Sequence, residues 1–464
     1  MSNKKTRGAF AALAAGAMVL SLAPNAFAAL DDPDGSPVVI VPDEKVSKAE
    51  VFRIADSTRI LTAIEASESR TDWGNITKAT DTTGLFWSCS KTGYPLNNKP
   101  VIGKHWKEGD FFYPVYIGSP AWGQVKCTVV KKVVKVGATT GTMDIIVARS
   151  DDYPDALAAA PLADVLDAPI LLHPTTAPAG SDANGNGVMD SVEAEIARLA
   201  KVGEHEGVTV TVHLLGGTQA LAHSVENGID GIENVDNTLR YQGLNRYETA
   251  SNIAKVTVDA YGLESGAKSR DVNVYLTTGE NFPDALAAGA AASNNDGVVL
   301  LTQGTKLDTY EFTLDFLKDL RNWVDDSNKH INTSEIFAVG GPSATAAAGN
   351  IDLAASYVGV NRYETATLTA EATFGNPRNY AVVSGETFPD ALVASGYIAN
   401  LDGPLLLTEP TSLNQRFTAA YLNASVDDSD RIFTFGGPDA LRLAVTNQIK
   451  DLLAAKFEID PEIK

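Results

Sequence analysis

The sequence predicts an α/β fold in which one unit, a parallel sheet with helices on both faces, is built three times. Three observations carry this reading. A short phrase recurs, as DDYPDALAAAP from Asp151, ENFPDALAAG from Glu280 and ETFPDALVASG from Glu386. The same companions flank it each time, in the same order. Each copy also alternates apolar, β-branched runs with segments of helical spacing, the pattern of parallel strands joined by helical crossovers.

The chain has 464 residues, room for three domains of roughly 150 residues. Its start reads as an export leader. Lys4, Lys5 and Arg7 precede an apolar run from Ala9 to Leu22, and Ala26-Phe27-Ala28 fits a signal-peptidase site. Residues 1–28 are therefore set aside as a signal peptide. No other stretch is long enough to span a bilayer, and no sorting signal or hydrophobic tail is expected at the C-terminus. Loss of three positive charges with the leader takes the net charge from −21 to −24, which argues against nucleic-acid binding.

The repeats cover residues 46–238, 239–355 and 356–456. Each opens on a helix start: STRILTAIEAS from Ser57, LNRYETASNIA from Leu244 and VNRYETATLTA from Val360, which align Arg59, Arg246 and Arg362. A strand such as VNVYLTT follows, and then the recurring phrase as a helix. Pro283 suits the first turn of that helix and Asp284 its positive end. Asp155, Asp284 and Asp390 are read as helix-start electrostatics, because no His, Cys or second carboxylate recurs beside them. Next come the apolar runs APILLHP, GVVLLTQ and GPLLLTE, continuous as buried parallel strands are. A further helix leads to a strand ending in Gly-Gly, at Gly217, Gly341 and Gly437. Neither G-x-G-x-x-G nor a P-loop is present, so a nucleotide site is excluded.

The combination of R-x-E-T-A, F-P-D-A-L-A, P-[IL]-L-L and a strand ending in Gly-Gly resembles the cell wall binding repeat 2 family, here in three tandem copies. The resemblance implies three Rossmann-like parallel-sheet subdomains about a pseudo-threefold axis. It also implies non-covalent anchoring to an anionic polymer of a Gram-positive wall. It marks Pro169, Ile170, Leu171 and Leu172, with Pro404, Leu405, Leu406 and Leu407, as polymer-lining. The residues themselves read as core strands with only loop ends open to ligand. Arg59, Arg246 and Arg362 are candidate anion ligands, or else partners of neighbouring acids.

Repeat one carries DANGNGVMDSVE at residues 182–193, which follows a twelve-residue calcium loop. Asp182, Asn184 and Asn186 fill positions 1, 3 and 5, and Gly187 takes the turn. The Val188 carbonyl, Asp190 and Glu193 supply 7, 9 and 12. Calcium is expected, with a structural role.

Repeat one also holds an insertion at residues 70–141, expected to be small and β-rich. It contains Cys89 and Cys127 and four of the five tryptophans (Trp73, Trp87, Trp106 and Trp122), and its net charge is +6. In an exported protein a Cys89–Cys127 disulfide is the default. The loop of about 39 residues it closes is worth about 4 kcal/mol in the chain-entropy model. The aromatics are either a small core or a surface for a carbohydrate or a surface-protein partner, as in an adhesin. A secreted wall-modifying hydrolase is the remaining alternative. Against it stand the absence of H-E-x-x-H and G-x-S-x-G. The expected activity is binding without catalysis, at the cell wall or cell surface.

Overall fold

The computed structural model describes residues 49–77, 80–89, 111–112, 127–136, 140–261, 269–320 and 330–457. The leader at 1–28 lies outside them. Strand β1 (Glu50–Ile54) and helix α1 (Arg59–Glu68) open repeat one. The insertion gives β2 (Asn75–Thr77), β3 (Thr80–Cys89), β4 (Phe111–Phe112) and β5 (Cys127–Val136). Repeat one resumes with β6 (Thr140–Arg149), α2 (Ala159–Leu166), β7 (Ile170–His173), α3 (Asp190–Glu206), β8 (Thr209–Leu215) and α4 (His223–Asp230). Repeat two follows as β9 (Asn237–Tyr241), α5 (Arg246–Tyr261), β10 (Ser269–Thr278), α6 (Pro283–Asn294), β11 (Gly297–Thr302), α7 (Phe312–Leu320), β12 (His330–Val339) and α8 (Gly341–Ala347). Repeat three is β13 (Ala355–Tyr357), α9 (Arg362–Thr373), β14 (Asn379–Ser384), α10 (Pro389–Ala399), β15 (Leu405–Thr408), α11 (Thr418–Ser425), β16 (Arg431–Phe435) and α12 (Leu443–Phe457).

The three sheets are parallel apart from β2, which runs antiparallel to β6. Each is completed by the first strand of the next repeat. Strand β9 pairs with β8 of repeat one, β13 with β12 of repeat two, and β1 with β16 of repeat three. The last pairing joins the two ends of the described chain, so the three units close into a ring.

Helices α2, α6 and α10, which carry the recurring phrase, pack against one another in the middle. Small residues permit this approach. A Cβ on Gly289 would lie 2.9 Å from both the Ala160 Cβ and the Ser395 Oγ, and these three residues occupy the same place in the three copies. Equivalent residues meeting three at a time mark the pseudo-threefold axis. At the N-terminal end of the helices Tyr153, Phe282 and Phe388, again equivalent, form a triangle with ring centroids 5.5–6.1 Å apart. Helix α6 is buried from Ala285 to Ser293, which is why its sequence is apolar on every side. Among the described residues no helix is long and apolar enough to cross a membrane.

The insertion forms a three-stranded antiparallel sheet in the order β3-β5-β4. Its register sets Cys89 directly opposite Cys127. Opposed residues in such a pair have Cα atoms about 4.5–5.5 Å apart, inside the range a disulfide bridges. If the bond forms, the intact protein resists alkylation at both cysteines until a reductant is added. Free reaction of both thiols in the native protein would refute the pairing. Trp73 is 4% exposed and donates from Nε1 to the Ser67 carbonyl at 2.7 Å. It therefore belongs to the core of repeat one and is removed from any aromatic binding surface. Trp106 and Trp122 lie outside the described residues.

Candidate functional site

Arg59, Arg246 and Arg362 are the first residues of α1, α5 and α9. Their neighbours build the helix starts. Asn245 Oδ1 accepts from the amides of Tyr247 (3.0 Å) and Glu248 (3.1 Å), and Asn361 Oδ1 from those of Tyr363 and Glu364 (3.1 Å each). In repeat one Thr58 Oγ1 accepts from Leu61 N at 3.2 Å. Glu248 and Glu364 reach back to the amides of Leu244 and Val360, the residues just before the N-caps, in a capping-box-like arrangement. Thr62, Thr249 and Thr365 accept from the amides of Asp56, Gly243 and Gly359, each at 3.1 Å. The motif R-x-E-T-A thus encodes a capped turn in which the arginine has no capping task. A cation at the positive end of a helix costs roughly 0.3–1 kcal/mol, yet all three copies keep it.

Each guanidinium uses Nη1 to donate to a main-chain carbonyl at the end of its own repeat's central strand: Ser150 at 2.9 Å, Gly279 at 2.6 Å, and Gly385. Among the described residues no carboxylate oxygen lies within 4.0 Å of these arginines, so direct pairing with neighbouring acids is not what the structure holds. Among the described residues, the other N–H donors of each group have no protein hydrogen-bond partner. Arg59 is exposed, and Arg246 and Arg362 are half-buried. The three surround the aromatic triangle: the Arg59 Cζ is 6.0 Å from the Phe388 ring centroid, and Gly279 and Gly385 each precede a triangle residue by three positions.

Behind each arginine stands an aspartate of the preceding repeat. Asp155 senses the charge of Arg246, Asp284 that of Arg362 and Asp390 that of Arg59. Burial pushes the carboxyls of Asp284 and Asp390 up to about 6, and the arginine opposes the shift in each case. Burial raises Asp155 as well, against Thr249, Arg149 and Arg246. The Gly-Gly turns make room for these carboxylates. Gly216, Gly340 and Gly436 have φ of +99°, +91° and +123°, and a Cβ on them would fall 2.7, 2.1 and 3.2 Å from the Oδ2 of Asp155, Asp284 and Asp390. Helix-start electrostatics alone therefore understates these aspartates. The signal in the sequence was their recurrence alongside the Gly-Gly turns, two features read separately.

The P-[IL]-L-L segments need a correction. Pro169 and Pro404 are buried. Ile170, Leu171 and Leu172 are 0–3% exposed, and Leu405, Leu406 and Leu407 are 0–2% exposed. They present no side-chain surface to a polymer. Their strands pack instead against the central helix of another repeat, β7 on α10 and β15 on α6. A Cβ on Gly396 would come 2.5 Å from Ile170 Cδ1. The motif is apolar because it joins repeats.

The loop at 182–193 is folded tightly on its own donors. Asp182 Oδ1 accepts from Gly185 N (2.8 Å) and Asn186 N (3.1 Å), and Oδ2 from Gly187 N (2.8 Å). Asn186 Oδ1 accepts from Val188 N at 2.8 Å, and Asp190 Oδ1 from Ala183 N at 2.9 Å. Among the described residues no cluster of three or more His, Cys or carboxylate groups could hold a metal. The donor set here is mixed: three carboxylates, two amides and a carbonyl. Asn184 Nδ2 lies 3.1 and 3.0 Å from the two Glu193 carboxylate oxygens. Turning that amide would set Oδ1 against both, a grouping of oxygens that a hard cation holds together. The donor types, though not a converged cage, are those of a calcium loop.

A model of cell wall binding domain 2 (CWB2) matches residues 122–226, 240–348 and 357–446, well over half the chain. The chain belongs to the cell wall binding domain 2 family. Among curated relatives it is similar to N-acetylmuramoyl-L-alanine amidase LytC of Bacillus subtilis (strain 168), 25% identical over 324 residues, covering 70% of this chain and 56% of LytC. It is also similar to the amidase enhancer of the same organism, 30% identical over 110 residues, or 23% of this chain and 15% of that one. Among solved structures, Cwp6 from Clostridium difficile superposes with a TM-score of 0.56 at 17% identity, covering 90% of this chain and 51% of Cwp6. Cwp8 does so at 0.54 and 18%, covering 88% and 51%. The chain spans about half the length of LytC, Cwp6 and Cwp8, and the last two share its fold. Within the CWB2 match, the calcium-type loop falls inside the first segment, and β1 and α1 lie before it.

Proposed function

We propose that this CWB2 protein attaches an exported polypeptide to a Gram-positive cell wall by binding an anionic wall polymer, without catalysis. The observation that carries this reading is the threefold recurrence of an arginine with open donors at a helix start beside the axis. A phosphate or carboxylate there would meet both a guanidinium and the positive end of a helix. The protein as a whole is acidic, so long-range attraction is absent and local sites must supply the binding. Co-sedimentation with purified walls tests this. Binding that weakens steeply as salt is raised agrees with it, whereas salt-independent binding argues for a neutral ligand.

The basic insertion supports a second contact to the same polymer. Its net charge of +6 opposes the −30 that the rest of the mature chain then carries. A carbohydrate or surface-protein partner for it, as in an adhesin, rests on its lysines and on Trp87, Trp106 and Trp122. The amidase activity in LytC's name belongs to LytC.

Calcium is proposed at Asp182, Asn184, Asn186, Asp190 and Glu193 with the Val188 carbonyl, as a brace for the loop that leads into α3. At a calcium concentration a hundredfold above its dissociation constant, bound metal stabilises by about 2.7 kcal/mol. Thermal melting should therefore shift upward with calcium in the wild type and not in Glu193→Gln. Equal melting of both proteins with calcium and with chelator would remove the site.

A further inference from the structure

The junctions hold a feature that simple anion binding does not require, a buried acid behind each cation. We propose, resting on the anion-binding reading above, that Asp284 and Asp390, and more weakly Asp155, are proton-responsive positioning residues. Protonation removes a negative charge from behind Arg362, Arg59 and Arg246 and so strengthens their hold on the polymer as the surroundings acidify.

The geometry is repeated around the axis. Each carboxylate is lodged against the first glycine of a Gly-Gly turn. A threonine of the next repeat's arginine helix lies beside it, Thr62 for Asp390 and Thr249 for Asp155, and favours its ionised form. Those hydroxyls accept from the main-chain amides of Asp56 and Gly243. Asp390 Oδ1 is buried with no hydrogen-bond partner, so an ionised Asp390 is incompletely solvated and ready to take a proton. The charged groups facing each acid are few: Arg362 for Asp284, Arg59 for Asp390, and Arg149, Arg246 and Asp152 for Asp155. Asp155 thus sits near two arginines, which hold its charge more firmly and make it the least responsive. Burial brings the other two carboxyls to about 6, inside the range that an acidified wall would reach. A buried acid that opposes its own ionisation is a poor choice for stability alone, and a group of this kind beside a binding site is where function is expected.

The test measures binding of the full chain to long-chain inorganic polyphosphate, whose internal groups stay ionised across the range, between about pH 7.5 and about pH 5. The wild type is expected to bind about three- to tenfold more tightly at the lower pH. Asp284→Asn/Asp390→Asn should bind at the higher pH as the wild type does at the lower, with most of the slope gone. A flat wild-type profile, or a double variant that keeps the full wild-type slope, overturns the proposal. Circular dichroism verifies folding. If the double variant does not fold, Asp390→Asn alone must remove part of the slope, and an unchanged slope there also overturns it. Arg59→Gln, Arg246→Gln and Arg362→Gln separate the two readings. Loss of binding in them with an unaltered slope in the Asn variants sinks only the proton response, whereas wild-type binding in them sinks the arginine site itself.

Discussion

Replacing Arg59, Arg246 and Arg362 together by glutamine is expected to lower affinity for purified walls by about a hundredfold or more. Hydrogen bonds to charged groups are worth roughly 1.5–3 kcal/mol each, and every 1.4 kcal/mol is about tenfold in affinity. Three sites acting on one polymer would lose more than this if they were independent. The fold should tolerate the change, because the Asn and Thr caps remain and an unfavourable cation leaves each helix start. Each single substitution should cost about tenfold, and the three should be of similar size, since the junctions are built alike. Unchanged sedimentation of the triple variant with walls would rule out the arginines.

The second large effect concerns ring closure. The first two junctions are joined by continuous chain, but the third depends on β1 lying beside β16. Its five paired residues run from Glu50 opposite Arg431 to Ile54 opposite Phe435. Arg53 crosses the seam to the carbonyls of Gly436 (3.2 Å) and Leu441 (2.9 Å) and to Thr446 Oγ1 (3.3 Å). Phe52 stacks on Phe433 at 5.2 Å, and Ile54 is 1% exposed. Ile54→Ala should cost about 2–5 kcal/mol and Arg53→Ala about 1–3 kcal/mol. Removal of β1 as a whole would bare the edge of β16 and its buried Ile432 and Phe435. That loss rivals the stability of an ordinary domain, about 5–15 kcal/mol, so the shortened chain should lose its cooperative melt. Hydrogen exchange should locate the first damage in β14 and β16. A shortened chain that melts like the wild type would show that the seam contributes little.

Local patterns made most of the fold legible. Gly297–Thr302 reads as a strand and is one, and Pro283 opens α6 as its first-turn preference suggests. The triple repeat anticipated the three mainly parallel sheets, and the family model matches three segments. The exchange of first strands was not legible, because β13 is only Ala355–Tyr357 and β1 finds its partner nearly the whole chain away. Periodicity describes an element and not its distant neighbour. The same limit explains the P-[IL]-L-L segments: their apolarity was visible, but not that they pack on another repeat's helix. The arginines could be singled out as residues, since they recur, while their use of main-chain carbonyls needed the fold. The aspartates were visible three times over, yet a carboxylate at a helix start has so ordinary an explanation that only its burial against Gly216, Gly340 and Gly436 gives it a second role. The calcium reading is the opposite case, a proposal that rests on the sequence, where all its ligands lie within twelve consecutive residues.

The central claim is that a ring of three CWB2 repeats holds the protein to an anionic wall polymer. Co-sedimentation of the full chain with purified Gram-positive walls, before and after acid extraction of their secondary polymers, tests it most directly. Binding to intact walls that disappears after extraction is the predicted result. Equal binding to the extracted walls would contradict the claim and point to the peptidoglycan itself.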